Sequence, residues 1–146
     1  MKLENYLAGE WITGDGDGSP LFNSVTGEIV ATATTKGLDF AAALAYGRKS
    51  GEALRKMTFQ ERGLMLKALA MYLLERKERY YEVSYRTGAT RIDSWIDIEG
   101  GIGNLFANAS LRRQFGDESY YVDGEYAPLG KTGAFIGHHI MVPKEG

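Results

Sequence analysis

The sequence predicts a mixed α/β fold: N-terminal β-hairpins, three helices and a C-terminal β-hairpin arm. Three observations carry this. The first third alternates β-branched and aromatic residues with Gly-rich turns. The middle places apolar residues at helical spacing behind two capping boxes. After Gly116 the pattern returns to extended segments around a glycine turn. The composition suits such a domain, with 146 residues, 44% hydrophobic and 25% charged. A chain of this length buries about two-thirds of its extended surface.

Tyr6-Leu7-Ala8-Gly9-Glu10-Trp11-Ile12 reads as a small hairpin with a Gly9–Glu10 turn. Gly14-Asp15-Gly16-Asp17-Gly18-Ser19-Pro20 is turn chemistry and predicts an exposed loop. Leu21-Phe22-Asn23, a turn at Thr26-Gly27, and Glu28 onward to Thr34 read as a second hairpin. Asp39 can cap a helix over 39–55, whose apolar positions are Phe40, Ala43, Leu44, Gly47, Gly51 and Leu54. Thr58-Phe59-Gln60-Glu61 is a capping box opening a helix over 59–87. One face of that helix carries Leu66, Leu69, Ala70, Leu73, Leu74 and Tyr81, and Gly88 stops it. Thr90-Arg91-Ile92-Asp93 opens a third helix, 91–114, with Trp95, Ile96, Ile102, Phe106 and Ala109 as apolar positions. Gly100, Gly101 and Gly103 each cost this helix about 0.8–1 kcal/mol relative to Ala. Close backbone packing against a neighbour or ligand is the expected compensation.

Tyr120 to Tyr126 and Ala134 to Val142 are extended, joined by a turn at Gly130 to Gly133. Pro143-Lys144-Glu145-Gly146 is a turn directly after a strand, which predicts a larger fold of which these residues are a part.

The chemistry-bearing inventory is thin. Seventeen Lys and Arg against nineteen Asp and Glu give a net charge of −2 and no basic excess for nucleic acid. No run approaches the roughly 18 apolar residues of a membrane span. MKLENYLAGEW lacks a signal-peptide core, so a cytoplasmic location is expected. There is no Cys, hence no thiolate nucleophile and no cysteine metal site.

Gly130-Lys131-Thr132 resembles a phosphate-binding loop, but the required upstream glycine position is Glu125 and a strand follows. Gly101-x-Gly103 begins a dinucleotide fingerprint whose third glycine position is Phe106. Asp15-x-Asp17-x-Ser19 starts like a calcium loop and fails at Pro20 and Thr26. His138 and His139 point to opposite faces of a strand, a poor metal pair. Asp97 and Glu99 do not face each other on a helix and read as exposed charge. The tyrosines at 80, 81, 85, 120, 121 and 126 read as core and interface aromatics. No catalytic site assembles from these residues.

Read in order, the segments resemble the N-terminal part of an aldehyde dehydrogenase. Leu7-Ala8-Gly9-Glu10-Trp11 is similar to that family's opening hairpin, and Asn23-Ser24-Val25-Thr26-Gly27-Glu28 to its following turn. Leu54 through Glu61 resembles the stretch before its long helix, and Tyr85-Arg86-Thr87-Gly88 the end of that helix. The run from Thr87 to Gly103, TGATRIDSWIDIEGGIG, resembles the dehydrogenases of the phenylacetate-degradation class, which oxidise a CoA-linked semialdehyde.

The resemblance implies that residues 1–118 are the hairpin and helical part of a cofactor-binding domain. It implies that 119–146 belong to an oligomerisation arm, truncated before the Rossmann core. The implied parent uses NADP or NAD, with a nucleophilic Cys and a general-base Glu that lie beyond these residues. The resemblance assigns no catalytic, cofactor-binding or metal residue here. Arg86 occupies the position where some members have an acid for a monovalent cation. The 146 residues alone are expected to be inactive and to form a homo-oligomer through the 119–142 hairpin and exposed helix faces. Neither nucleic acid nor membrane is an expected partner. Two other functions fit the same residues: a non-catalytic helical oligomerisation module, and a general aldehyde dehydrogenase outside CoA pathways.

Overall fold

The computed structural model describes residues 1–144. Strands β1 (Asn5–Leu7) and β2 (Glu10–Ile12) form the first antiparallel hairpin. Ala8 and Gly9 both take positive φ, 52° and 90°, the geometry of a two-residue hairpin turn. The turn therefore falls one residue earlier than expected, and Glu10 already pairs with Leu7. Tyr6 faces Trp11 across the strands at 5.1 Å between ring centroids.

β3 (Ser19–Phe22) pairs antiparallel with β4 (Ile29–Ala33). The loop expected through Pro20 thus ends at Gly18. Proline is tolerated in β3 because its partner Thr32 turns its backbone away: Thr32 donates to the Met1 carbonyl and accepts from the Leu3 amide. The connecting turn is where the sequence puts it. The Asn23 side chain accepts from the Val25 and Thr26 amides, and Gly27 has φ +75°.

α1 (Phe40–Lys56) is capped by Asp39, whose carboxylate accepts from the Ala42 amide, and it buries no residue. α2 (Phe59–Leu74) and α4 (Arg91–Ser110) both open with the reciprocal capping boxes expected at Thr58/Glu61 and Thr90/Asp93.

The single helix expected over 59–87 is two, so the described residues form four helices rather than three. α3 runs Lys77–Tyr85. Arg76, at φ −113° and ψ 10°, leaves helical geometry, while its side chain lies over the Tyr72 ring at 3.6 Å. Residues 75–79 are all charged, and the chain redirects within this run, where Lys77 turns to Glu99 on α4. The third expected helix ends as α4 followed by a short 3₁₀ turn, Leu111–Gln114.

The core lies where α2 and α3 meet α4, at Ala70, Tyr81, Ile102 and Ala109. Fully buried Ser94 on α4 shares a 2.8 Å hydrogen bond with Ser84 on α3. Of the face expected on the long helix, Ala70 and Tyr81 are buried and Leu66 and Leu73 half-buried, but Leu69 and Leu74 are exposed.

The close approach expected at the α4 glycines occurs elsewhere. A Cβ on Gly63 would stand 2.8 Å from the Arg112 Cβ and 3.0 Å from the Ala109 carbonyl oxygen. Nothing lies within 4 Å of a Cβ built on Gly100, Gly101 or Gly103. Among the described residues their conformational cost is left uncompensated.

β5 (Tyr121–Pro128) and β6 (Ile136–Met141) form the last hairpin, with Gly133 at φ +67° in the turn. Its register shifts between Val122, opposite Ile140, and Tyr126, opposite His138. Asp123, Gly124 and Glu125 therefore oppose His139 alone, a bulge with two extra residues on β5. Of the turn expected over 143–146, residues 145 and 146 lie outside the described residues.

The chain exposes 10976 Å². A self-contained folded chain of 16.1 kDa exposes about 7,400 Å². The surplus is visible as apolar side chains in the open, among them Trp11, Ile92, Trp95, Ile96, Tyr126 and Ile140.

Candidate functional site

The densest polar constellation joins α3 to α4. Lys77 and Tyr81, one helical turn apart on α3, both reach the same Glu99 oxygen on α4 at 2.9 Å. Trp95, Ile92 and Arg91 complete the rim of an open recess of about 290 Å³ around this group. Burial, then the hydrogen bond to Glu99, pushes the Tyr81 phenol up to about 12. The hydrogen bond from Lys77, then the one from Tyr81, holds the Glu99 carboxyl below its ordinary value.

At neutral pH the phenol is protonated and the carboxylate charged, and both are moved away from the range a proton-transfer catalyst needs. The cluster is a clamp between helices. Glu99, expected as exposed charge, is half-buried and paired, whereas Asp97 is exposed as expected. The signal for half of the clamp was available in the Lys77/Tyr81 spacing. Its acceptor comes from another helix, which local spacing cannot supply.

The remaining motifs stay apart. Gly101 and Gly103 lie inside α4, where helix hydrogen bonding uses the backbone amides a phosphate would need. Gly130, Lys131 and Thr132 are in the hairpin turn, with no helix after them. Neither glycine motif therefore offers free amides at the start of a helix, as a phosphate would need.

His138 Nδ1 lies 3.1 Å from the Asp123 carbonyl oxygen, and His139 Nδ1 lies 3.8 Å from an Asp123 carboxylate oxygen. The bulge thus draws both imidazoles toward one residue. Among the described residues, no three His, Cys, Asp or Glu side chains gather as a metal centre would require. Asp15 and Asp17 are exposed in their loop, and the Asp15 amide donates to the Lys36 carbonyl. Of the tyrosines, Tyr81 is buried, while Tyr120 and Tyr126 are exposed on the last hairpin and just before it. Among the described residues, no helix is long and apolar enough to cross a membrane.

Two hairpins, a helical layer and a third hairpin make up the described residues, and the motifs tested above do not come together in one site. Residues 11–136 match the aldehyde dehydrogenase family, and the chain belongs to that family. It is 36% identical over 148 aligned residues to a 3,4-dehydroadipyl-CoA semialdehyde dehydrogenase from Aromatoleum evansii. That alignment covers 100% of this chain and 29% of the relative, so the chain spans under a third of the relative's length.

Proposed function

We propose that these residues serve as the N-terminal part of an NAD(P)-dependent aldehyde dehydrogenase that oxidises a CoA-linked semialdehyde in aerobic aromatic-acid catabolism, in the cytoplasm. The observation that carries the reading is the identity to the CoA-semialdehyde dehydrogenase across the whole chain. The surplus of exposed apolar surface supports it, because an element layer that normally meets a further body leaves such faces open. In this reading residues 1–118 are the hairpin and helical layer of a cofactor domain, and 119–146 belong to an oligomerisation arm. The 146 residues supply scaffold and contribute no catalytic group.

The test is expression of the gene's complete reading frame, followed by NADH or NADPH formation with a CoA-linked semialdehyde and with simple aliphatic aldehydes. Preference for the CoA-linked substrate is the expected result. Preference for aliphatic aldehydes would instead assign a general aldehyde dehydrogenase. A product with no dehydrogenase activity and a stable oligomeric state would assign the non-catalytic module.

A further inference from the structure

We infer that Arg62 is the positioning residue that fixes the direction of the last hairpin relative to the helices. The observation is that one guanidinium bonds both the α1–α2 connection and the hairpin's entry, and lines a groove that the hairpin's departing foot also lines. Arg62, in the first turn of α2, donates to the Met57 carbonyl at 2.8 Å and, by a longer 3.4 Å bond, to the Ser119 carbonyl at the hairpin's entry. Its guanidinium lies 4.7 Å from the Phe59 ring centroid. The departing foot, Pro143 and Lys144, returns to a groove shared by Arg62 with Gly51 and Leu54 of α1.

The surrounding groups hold the frame and leave the aim to Arg62. The Phe59 amide donates to the Glu118 carbonyl at 2.9 Å, and Phe115 packs between Phe59 at 4.5 Å and, edge-on, Tyr121 at 5.0 Å. Gln60 ties the 3₁₀ turn down through the Arg112 and Phe115 carbonyls. These contacts act on the 3₁₀ turn and on the segment leading into β5. Arg62 alone among them bonds both the α1–α2 connection and the segment entering the hairpin, and lines the groove beside the exit. A planar fork spans separate acceptors that a single ammonium cannot hold together.

Because the chain has no Cys, two can be introduced as the sole label sites, at Lys131 in the hairpin turn and Asn104 on α4. Spin-label distances are then measured on labelled chain diluted into unlabelled chain, so that only distances within one molecule are read. A narrow distribution is expected for the parent and one at least twofold broader for Arg62→Lys and Arg62→Met, with helical circular dichroism unchanged. An unchanged narrow distribution in Arg62→Lys overturns the inference, and this variant decides alone if Arg62→Met does not fold. Light scattering on the same samples reports association separately. A monomeric parent would count against the oligomerisation arm and leave the role of Arg62 standing or falling on the distances.

Discussion

Glu99 accepts from two partners that reach it only when α3 and α4 are docked, so its carboxyl titrates lower in the folded chain than in the unfolded one. A folded-state value below the ordinary 4.5 means that the stability it contributes is present above that pH and drains as pH falls through the lowered value. Thermal unfolding of Glu99→Gln should accordingly lie below that of the parent at pH 7, with the gap closing as pH falls below 4.5. Tyr81 runs the other way. Its folded-state value of about 12 stands above the ordinary 10.0, so its contribution is intact below pH 10 and lost as pH rises toward 12. In ultraviolet titration one phenol should ionise late, and Tyr81→Phe should remove that late step.

Glycine supplies a second contrast at this scale. Gly63→Ala forces a Cβ into the Arg112 stem and the Ala109 carbonyl and should destabilise by about 1–3 kcal/mol. Gly100→Ala and Gly103→Ala meet nothing within 4 Å and should each stabilise the isolated chain by about 0.8–1 kcal/mol. Denaturant unfolding of the three variants separates the signs.

Among the elements, those set by neighbouring residues were legible in the sequence. Thr58 with Glu61 and Thr90 with Asp93 mark their helix starts because a capping box is complete within four residues. Asn23 to Gly27 declares its turn for the same reason. What stayed hidden depends on groups distant in the chain. The charged run 75–79 fits the solvent face of one long helix as well as it fits a break, and only the docking of Lys77 and Tyr81 onto α4 decides for the break. Pro20 reads as loop until the N-terminal segment is seen taking the Thr32 amide. Gly63 looks unremarked beside the three glycines of α4, yet it alone of the four is pressed by a neighbour. Arg62 carries no local signature at all, since its acceptors come from both sides of it in sequence. The candidate site followed the same division: single motifs could be tested and rejected locally, and the Lys77–Tyr81–Glu99 clamp could not be foreseen.

For the whole molecule, the decisive quantity is surface. About 3,500 Å² more than a self-contained chain of this mass lies open, whereas a standard interface covers roughly 800 Å² on each partner. One pairwise contact leaves most of the surplus uncovered. Isolated chains should therefore associate in a concentration-dependent way, through the two open edges of the last hairpin and the exposed helix faces. Size-exclusion chromatography with light scattering checks this, and a clean monomer at high concentration would defeat it.

The bulge in the last hairpin bears on how that surface is arranged. Two extra residues are an even number, and side chains alternate with period two along a strand. The limb beyond the bulge thus keeps the handedness of the limb before it. Val122, Tyr126, Ile136 and Ile140 stay together on one side while the ribbon bends between them. A single inserted residue would have put Val122 and Tyr126 on opposite sides. The molecule bends this ribbon without turning it over, and so keeps these four apolar side chains on one side, with His138 between them.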